Sequence, residues 1–238
     1  MDNRSKEKVS ELDDQRWATF DCYGTLVDWN RGLGDQLERL FGAVVRERAL
    51  SRYHELEPGI QGREPGARYR QVLAETLADV TESLGRDLPA DERDALGRSL
   101  PDWPVFDEVP AALTELRDRG WRLVILSNTD REFIDASMER IGVPFELAIV
   151  ASEVGSYKPA HAHWQEFQRV TGADPQRHVH VAASLFHDVE PCSELGIRCV
   201  WINRLGEAAR GEPAAELPDL SGLADTLGRL VPRRNGSA

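Results

Sequence analysis

The sequence predicts an α/β fold, in which a Rossmann-like parallel sheet carries an inserted all-helical cap domain. Two observations predict it. From about Pro110 onward, short apolar runs alternate with segments of helical period, which is typical of parallel strands joined by right-handed crossovers. Between the first apolar run and Pro110, by contrast, apolar residues recur only at helical spacing. The expected organisation is a flexible lead-in (1–14), a core (15–30 and 106–232), a helical cap (31–105) and a tail (233–238).

The first strand is predicted at Trp17–Asp21, within the stretch "WATFDCYGTLVDW". Two cap helices follow from the apolar spacing, one from Leu33 to Val45 and one from Tyr69 to Leu84. The segment between them, "ELEPGIQGREPGARY", is rich in Gly and Pro and is predicted to be a loop. A shorter helix at about 90–100 and a hinge, "PDWPVFDEVP", complete the cap.

The second half of the core repeats a helix and a strand in turn. A helix begins near Pro110, Asp130 is predicted to cap the next helix, and Pro159 to open another. A further helix ends at Gly196. The remaining strands and the closing helix are predicted, in order, at "RLVILSN", "LAIVAS", "HVHVAAS", "CVWIN" and "GLADTLGRL".

Composition narrows the class of protein. The chain has 238 residues, 41% of them hydrophobic and 29% charged, as expected of a soluble globular protein. Its formal net charge of −12 argues against nucleic acid or an anionic membrane as a partner, but a local pocket can still bind a small anionic substrate. There is no signal-peptide pattern, and no apolar run approaches the roughly 20 residues that cross a bilayer. With three cysteines in no metal-ligand spacing, we expect a cytoplasmic protein.

Polar side chains stand at the carboxyl ends of the predicted strands, where parallel sheets bind ligands. The first strand ends on Asp21, the second on Ser127-Asn128, and Lys158 follows the third. The fourth runs into Ser184 and then His187-Asp188. Taken singly, Ser-Asn after a strand is typical of a turn and a lysine before a helix is typically solvated. Together they predict a site in which a lysine keeps Asp21 ionised and Asp21 acts as a nucleophile.

These residues carry a resemblance. Asp21-x-Tyr23-Gly24-Thr25, Ser127-Asn128, Lys158-Pro159 and Asp188 resemble, in order, the four motifs of the haloacid dehalogenase superfamily of hydrolases. Within it, "FDCYGTLVDW", "LSNTD" and "VWINR" look like the (S)-specific type II 2-haloacid dehalogenases. The resemblance implies attack of Asp21 on the carbon that bears the halogen, an ester intermediate, hydrolysis to a 2-hydroxy acid, and no metal or other cofactor.

The residue at position 23, here Tyr23, distinguishes the dehalogenases of the superfamily from its phosphatases. Phosphatases of the superfamily have at this position an aspartate that protonates the alcohol leaving group, whereas a halide other than fluoride leaves without a proton. The alternative function is a magnesium-dependent phosphatase for a small phosphorylated metabolite, with Asp21 and Asp188 holding the ion. A third is a binding protein without catalysis, for which a nucleophile at a strand end has no use.

The resemblance also implies roles. Lys158 would balance the charge of Asp21, Asp188 would orient Lys158 or water, and Thr25 and Ser127 would hold carboxylate oxygens. Asn128 would contact the halide, and Arg52, from its spacing before Leu56-Glu57, would help to remove it. A homodimer is a further expectation.

Other positions depart from the family pattern. Ala183 and Leu185 replace a serine and an asparagine of the fourth motif, and Ser184 is the nearest substitute hydroxyl. Trp164 occupies the position of a tyrosine and is predicted to contact substrate, while His187 is a hypothetical base for the hydrolytic water. These changes leave the identity of the substrate open.

Overall fold

The computed structural model describes residues 15–209 and 211–234. The predicted lead-in at 1–14 and most of the predicted tail therefore lie outside the described residues. Within the described part of the chain, no helix is long and apolar enough to cross a membrane.

One parallel sheet of six strands forms the centre of the fold, in the order β3-β2-β1-β4-β5-β6. The strands are β1 (Arg16–Phe20), β2 (Trp121–Ser127), β3 (Leu147–Val150), β4 (His178–Ala182), β5 (Arg198–Ile202) and β6 (Ala215–Leu217). The parallel α/β fold is confirmed, as are five predicted strands. The sixth was not predicted, because β6 is a three-residue, partly exposed edge strand without an apolar run.

Helices cover the sheet because strands buried on both faces need apolar cover. The core helices are α5 (Val109–Asp118), α6 (Arg131–Ile141), α7 (Ala151–Val154), α8 (Ala162–Thr171), α9 (Glu190–Glu194) and α10 (Leu223–Leu230). Helix α8 begins at Ala162 rather than at Pro159 as predicted. The helix predicted to end at Gly196 is in fact a π-helical turn, Leu185–Val189, followed by the short α9.

Four α-helices lie between β1 and α5, and we call residues 29–102 the helical insertion. They are α1 (Trp29–Phe41), α2 (Arg46–Arg63), α3 (Tyr69–Ser83) and α4 (Ala95–Ser99). The prediction of a loop over 55–69 was wrong, because α2 continues through Pro58 to Arg63. Its inward face buries Tyr53, Glu57 and Ile60, and this packing outweighs the local preference of Pro and Gly.

The two chain segments that enter and leave the insertion pair with each other. The Asp28 amide donates to the Pro104 carbonyl at 2.7 Å, and the Phe106 amide donates to the Leu26 carbonyl at 3.1 Å. The predicted hinge is thus a short two-stranded connection. The division of the chain into core and cap at the predicted boundaries stays a prediction.

Asp130 has a different role from the one predicted. It precedes α6 but makes no side-chain cap bond to that helix. Its two carboxylate oxygens instead accept hydrogen bonds from the Tyr69 and Arg70 amides, each at 3.0 Å, at the start of α3. A fully buried core carboxylate therefore caps a helix of the insertion.

Candidate active site

The carboxyl ends of four strands meet beneath the helical insertion and border a cavity of about 480 Å³. Because β1 pairs with both β2 and β4, residues that follow these strands are brought side by side. From the core, the predicted residues that line the cavity are Asp21, Tyr23, Ser127, Asn128, Lys158, Ser184 and Asp188.

The Asp21 carboxylate is held at both oxygens. Lys158 Nζ lies 2.9 Å from Oδ1, and the Thr25 hydroxyl donates to Oδ2 at 2.8 Å. The Ala183 amide donates to Thr25 Oγ1 at 2.9 Å, which leaves the hydroxyl proton directed at Asp21. Since each carboxylate oxygen accepts one of these bonds, each keeps a lone pair for reaction. Thr25 thus occupies the predicted position beside the carboxylate.

Lys158 lies between two carboxylates. Its ammonium contacts Asp21 Oδ1 at 2.9 Å and Asp188 Oδ1 at 2.6 Å, and the side chain is 1% exposed. Burial alone lowers the pKa of Lys158, but Asp188 and Asp21 reverse this and hold it above its usual range. Burial likewise raises the pKa of Asp188, but Lys158 and His180 bring it well below its usual range. One ammonium therefore sits between two carboxylates.

A chain of buried side chains continues behind Asp188. His180 Nε2 lies 2.9 Å from Asp188 Oδ1, and the Thr19 hydroxyl lies 2.8 Å from both His180 Nδ1 and His178 Nε2. When His180 is neutral, Nε2 donates to Asp188, Nδ1 accepts from Thr19, and the Thr19 oxygen accepts from His178. Sequence reasoning missed this chain. The signal was present in "HVHV", where two histidines two residues apart share one face of β4.

Tyr23 supplies a partly buried phenol to the cavity wall. Its hydroxyl is 3.0 Å from Ser137 Oγ, and its ring stacks on Tyr69 with 6.5 Å between centroids. Burial raises the pKa of Tyr23 well above its usual value, with the neighbouring Cys22 adding to the effect. A phenol in this state is a poor general acid.

Asn128 clamps the backbone of Lys158. Asn128 Oδ1 accepts from the Lys158 amide at 2.6 Å, and Nδ2 donates to the Lys158 carbonyl at 2.9 Å. Nδ2 carries a second N–H, and Asn128 lines the cavity, so its predicted contact with a departing halide stays a prediction. The neighbouring Ser127 hydroxyl is buried, and no described residue hydrogen-bonds it, so it remains free to contact a ligand.

The turn after β4 brings Ser184 and His187 to the cavity wall. The Ser184 hydroxyl accepts from the His187 amide at 3.0 Å and lies 3.1 Å from His187 Nδ1. Burial lowers the pKa of His187, so its ring is neutral near pH 7. Ala183 also lines the cavity, whereas Leu185 packs against the core beneath the sheet.

Two predicted site residues lie elsewhere. Arg52 is 42% exposed, pairs with Glu55 at 2.7 Å, and is absent from the cavity wall. Trp164 is 3% exposed and packs against the His180 ring at 5.5 Å, behind the site rather than in it. Arg52 was suggested by its spacing before Leu56-Glu57 in the family resemblance. The continuous helix α2 instead turns Glu57 and Gln61 toward the cavity.

The sequence prediction also missed the side chains that close the cavity from above. Those of the insertion include Trp29, His54, Glu57, Gln61 and Tyr69. Arg204, from the "VWINR" stretch, also lines the cavity, donating to Glu108 at 2.6 Å and to the Thr25 carbonyl at 2.9 Å. The correct extent of α2 would have indicated His54, Glu57 and Gln61.

Comparison with known proteins agrees with this geometry. The sequence model of the haloacid dehalogenase-like hydrolases matches residues 16–196. An (S)-2-haloacid dehalogenase of Pseudomonas sp. (strain YL) is 29% identical over 214 residues, which cover 87% of this chain and 90% of that protein.

Solved structures show the same fold. An L-2-haloacid dehalogenase superposes with a TM-score of 0.81 at 24% identity, over 90% of this chain and 99% of the other. The L-2-haloacid dehalogenase from Xanthobacter autotrophicus, with chloropropionic acid covalently bound, gives 0.76 at 20% identity, over 89% and 97%. Since the family match spans residues 16–196, well over half of the chain, and includes β1 to β4 with Asp21, Lys158 and Asp188, the chain belongs to the haloacid dehalogenase-like hydrolases.

Proposed function

We propose that this protein hydrolyses the carbon–halogen bond of a short (S)-2-haloalkanoic acid and releases the 2-hydroxy acid. The observation that carries the proposal is the pairing of a held, reactive Asp21 carboxylate with a neutral phenol, Tyr23, in the position of a leaving-group acid. The (S)-2-haloacid dehalogenase of Pseudomonas sp. (strain YL) supports it at 29% identity.

The first step uses Asp21 as the nucleophile. A carboxylate oxygen of Asp21 forms a bond to the carbon at position 2, while the carbon–halogen bond breaks and the electron pair leaves with the halide. Lys158 and Thr25 hold the carboxylate so that one lone pair faces the cavity. The product of this step is an ester between Asp21 and the acid, with inversion at carbon.

The second step hydrolyses the ester at the Asp21 carboxyl carbon. Water adds to that carbon, and the bond from the carboxyl carbon to the substrate oxygen breaks, so the alkoxide leaves and takes a proton to become the hydroxyl. We propose His187 as the base that accepts the water proton. This needs the tautomer in which Nδ1–H donates to Ser184, because Nε2 then carries the free lone pair.

Tyr23 separates this proposal from the magnesium-dependent phosphatase, because a neutral phenol is a poor acid for an alcohol leaving group. Lys158 belongs to the motifs of the whole superfamily, and its ammonium lies between Asp21 and Asp188, the two carboxylates that would hold the ion. Across the described residues, no group of three or more His, Cys, Asp or Glu side chains is arranged to hold a metal. We also keep a cytoplasmic location and a homodimer as predictions, which need measurements of their own.

The test is halide release in the presence of a chelator, with each enantiomer of 2-chloropropionate and with chloroacetate. We expect release from the (S) enantiomer and none from the Asp21→Asn variant, which lacks the nucleophile. In parallel, p-nitrophenyl phosphate with magnesium tests the phosphatase. Nitrophenol release without halide release would overturn the dehalogenase proposal, together with the inference that Tyr23 argues against phosphatase activity.

A second variant tests the hydrolysis step. His187→Ala should accumulate the ester on Asp21, visible by mass spectrometry as an intact-protein adduct of the acid minus halide, while the first burst of halide persists. Normal turnover of this variant would exclude His187 as the base.

A further inference from the structure

Glu57 is a buried carboxyl group in the wall of the cavity that Asp21 also lines, and the mechanism above does not use it. It lies on α2 of the helical insertion and is 4% exposed. An acidic side chain here needs an explanation, because the proposed substrate is itself an anion and two like charges repel in a cavity shielded from water.

The hydrogen bonds of Glu57 distinguish its two oxygens. The Tyr69 and Tyr53 hydroxyls both donate to Oε1, at 2.8 and 3.2 Å. No described residue hydrogen-bonds Oε2. Because Oε1 already accepts two donors, a proton on this carboxyl group resides on Oε2, the oxygen left for a ligand in the cavity.

Because of the charges around the cavity, the protonated, neutral form of Glu57 suits an anionic substrate better than the carboxylate does. Asp21, Lys158 and Asp188 together carry one net negative charge, and Arg204 is already paired with Glu108. Burial raises the pKa of Glu57 to about 7, even though both tyrosines lower it. Near neutral pH the acid form is therefore available to donate.

We propose that Glu57, as the carboxylic acid, donates a hydrogen bond from Oε2 to the carboxylate of the substrate and so selects acids over their neutral analogues. This rests on the proposed function, since it assumes a substrate with a carboxylate. It assigns the recognition of that group to the helical insertion, while the core carries the displacement.

The other titratable groups that face Glu57 stay in one state over the relevant pH range. Burial raises the pKa of Tyr53, Tyr69 and Tyr157, so these phenols remain protonated. Burial lowers the pKa of His54 on the same helix, so it remains neutral above pH 7, and Lys158 remains charged. We therefore expect a change in the binding of a carboxylate between pH 7 and 9 to come from the titration of Glu57.

The test is binding of propionate, an unreactive carboxylate, followed by calorimetry from pH 6 to 9, beside propionamide. For the wild-type protein we expect the propionate dissociation constant to rise about tenfold per pH unit above the pKa of Glu57. In Glu57→Gln, which keeps a donor at every pH, it should be independent of pH. Glu55→Gln, an exposed change on the same helix, is the control and should behave as the wild type.

A second variant keeps the test independent of how well Glu57→Gln folds. Tyr53→Phe removes one donor to Oε1, which raises the pKa of Glu57 and should move the loss of binding to higher pH. Equal pH profiles in all four proteins, or tighter binding of propionamide than of propionate at pH 6, would overturn the inference. Halide release by the wild type tests the proposed function separately, so the two can fail independently.

Discussion

Thr19 lies in the middle of β1, and its single hydroxyl joins two imidazole rings of β4. Its Oγ1 is 2.8 Å from both His178 Nε2 and His180 Nδ1, and all three side chains are buried. The chain ends on Asp188, which contacts Lys158. Such an arrangement fixes the orientation and tautomer of the rings, so Thr19 positions Lys158 through His180 and Asp188.

We expect Thr19→Val to lower the free energy of unfolding by about 2–4 kcal/mol, since it leaves two buried ring nitrogens unpaired at roughly 1–3 kcal/mol each. Urea denaturation measures this. The control is Thr81→Val, also buried, whose hydroxyl donates to the Leu77 carbonyl within its own helix at 2.7 Å. That change should cost under about 1 kcal/mol. Equal losses in both variants would show that the imidazole contacts add nothing.

Among single residues, those that could be predicted from sequence are charged side chains at the ends of buried strands. Asp21 and Lys158 are of this kind, because a charged group there indicates a functional role, and the structure places the two in contact. Thr19 and Tyr53 could not be singled out, because each gains its role from a partner brought near by the fold.

The helical insertion depends on close packing between α1 and the segment that returns to the core. A Cβ on Gly32 would lie 2.3 Å from Trp103 Cγ, so glycine is required by the approach of the indole. That indole is 2% exposed, donates to Ser99 Oγ at 3.1 Å, and meets the Tyr23 ring edge-on. It has no free space into which to move.

We therefore expect Gly32→Ala to destabilise the protein by about 1–3 kcal/mol, as overpacked cores do, despite the better helix propensity of alanine. Gly62→Ala, on α2 with open space around its Cβ position, is the matched control and should stabilise by about 0.5–1 kcal/mol. Thermal unfolding measures both. Stabilisation by both substitutions would show that the Trp103 side chain can move aside without loss of stability.

Helix α2 shows why an element can be missed from sequence. Pro58 and three glycines between 59 and 66 favour a loop by local preference. The helix forms because Tyr53, Glu57 and Ile60 pack inward, a contact that depends on α3 and on the core. The strands, which are buried on both faces, have strong apolar runs of their own and so were predictable.

At the scale of the whole molecule, the proposed reaction needs the insertion and the sheet to keep a fixed relation, because Asp21 and Glu57 line the same cavity. Asp130 supplies one such link. It is fully buried beside β2, and its carboxylate caps α3 through the Tyr69 and Arg70 amides. Tyr69 in turn donates to Glu57, so the link leads to the cavity wall.

Asp130→Ala should release the first turn of α3 without removing any group that contacts substrate. We expect a loss of about 1–2 kcal/mol in the free energy of unfolding, the usual cost of a lost helix cap. The amides of Tyr69 and Arg70 should exchange hydrogen faster, and KM for the haloacid should rise more than kcat falls, because Glu57 loses its fixed position. Hydrogen exchange followed by mass spectrometry, with steady-state halide release, measures these effects.

Asp135→Ala is the control for Asp130→Ala, since it removes an exposed carboxylate of α6 that, among the described residues, pairs with Arg131 at 3.4 Å. Exchange at the start of α3 and KM should stay at wild-type values in this variant. If Asp130→Ala also left α3 exchange unchanged, the start of α3 would not depend on this cap. The orientation of Glu57 in the cavity would then have to come from other contacts, among them the paired segments at Leu26–Asp28 and Pro104–Phe106.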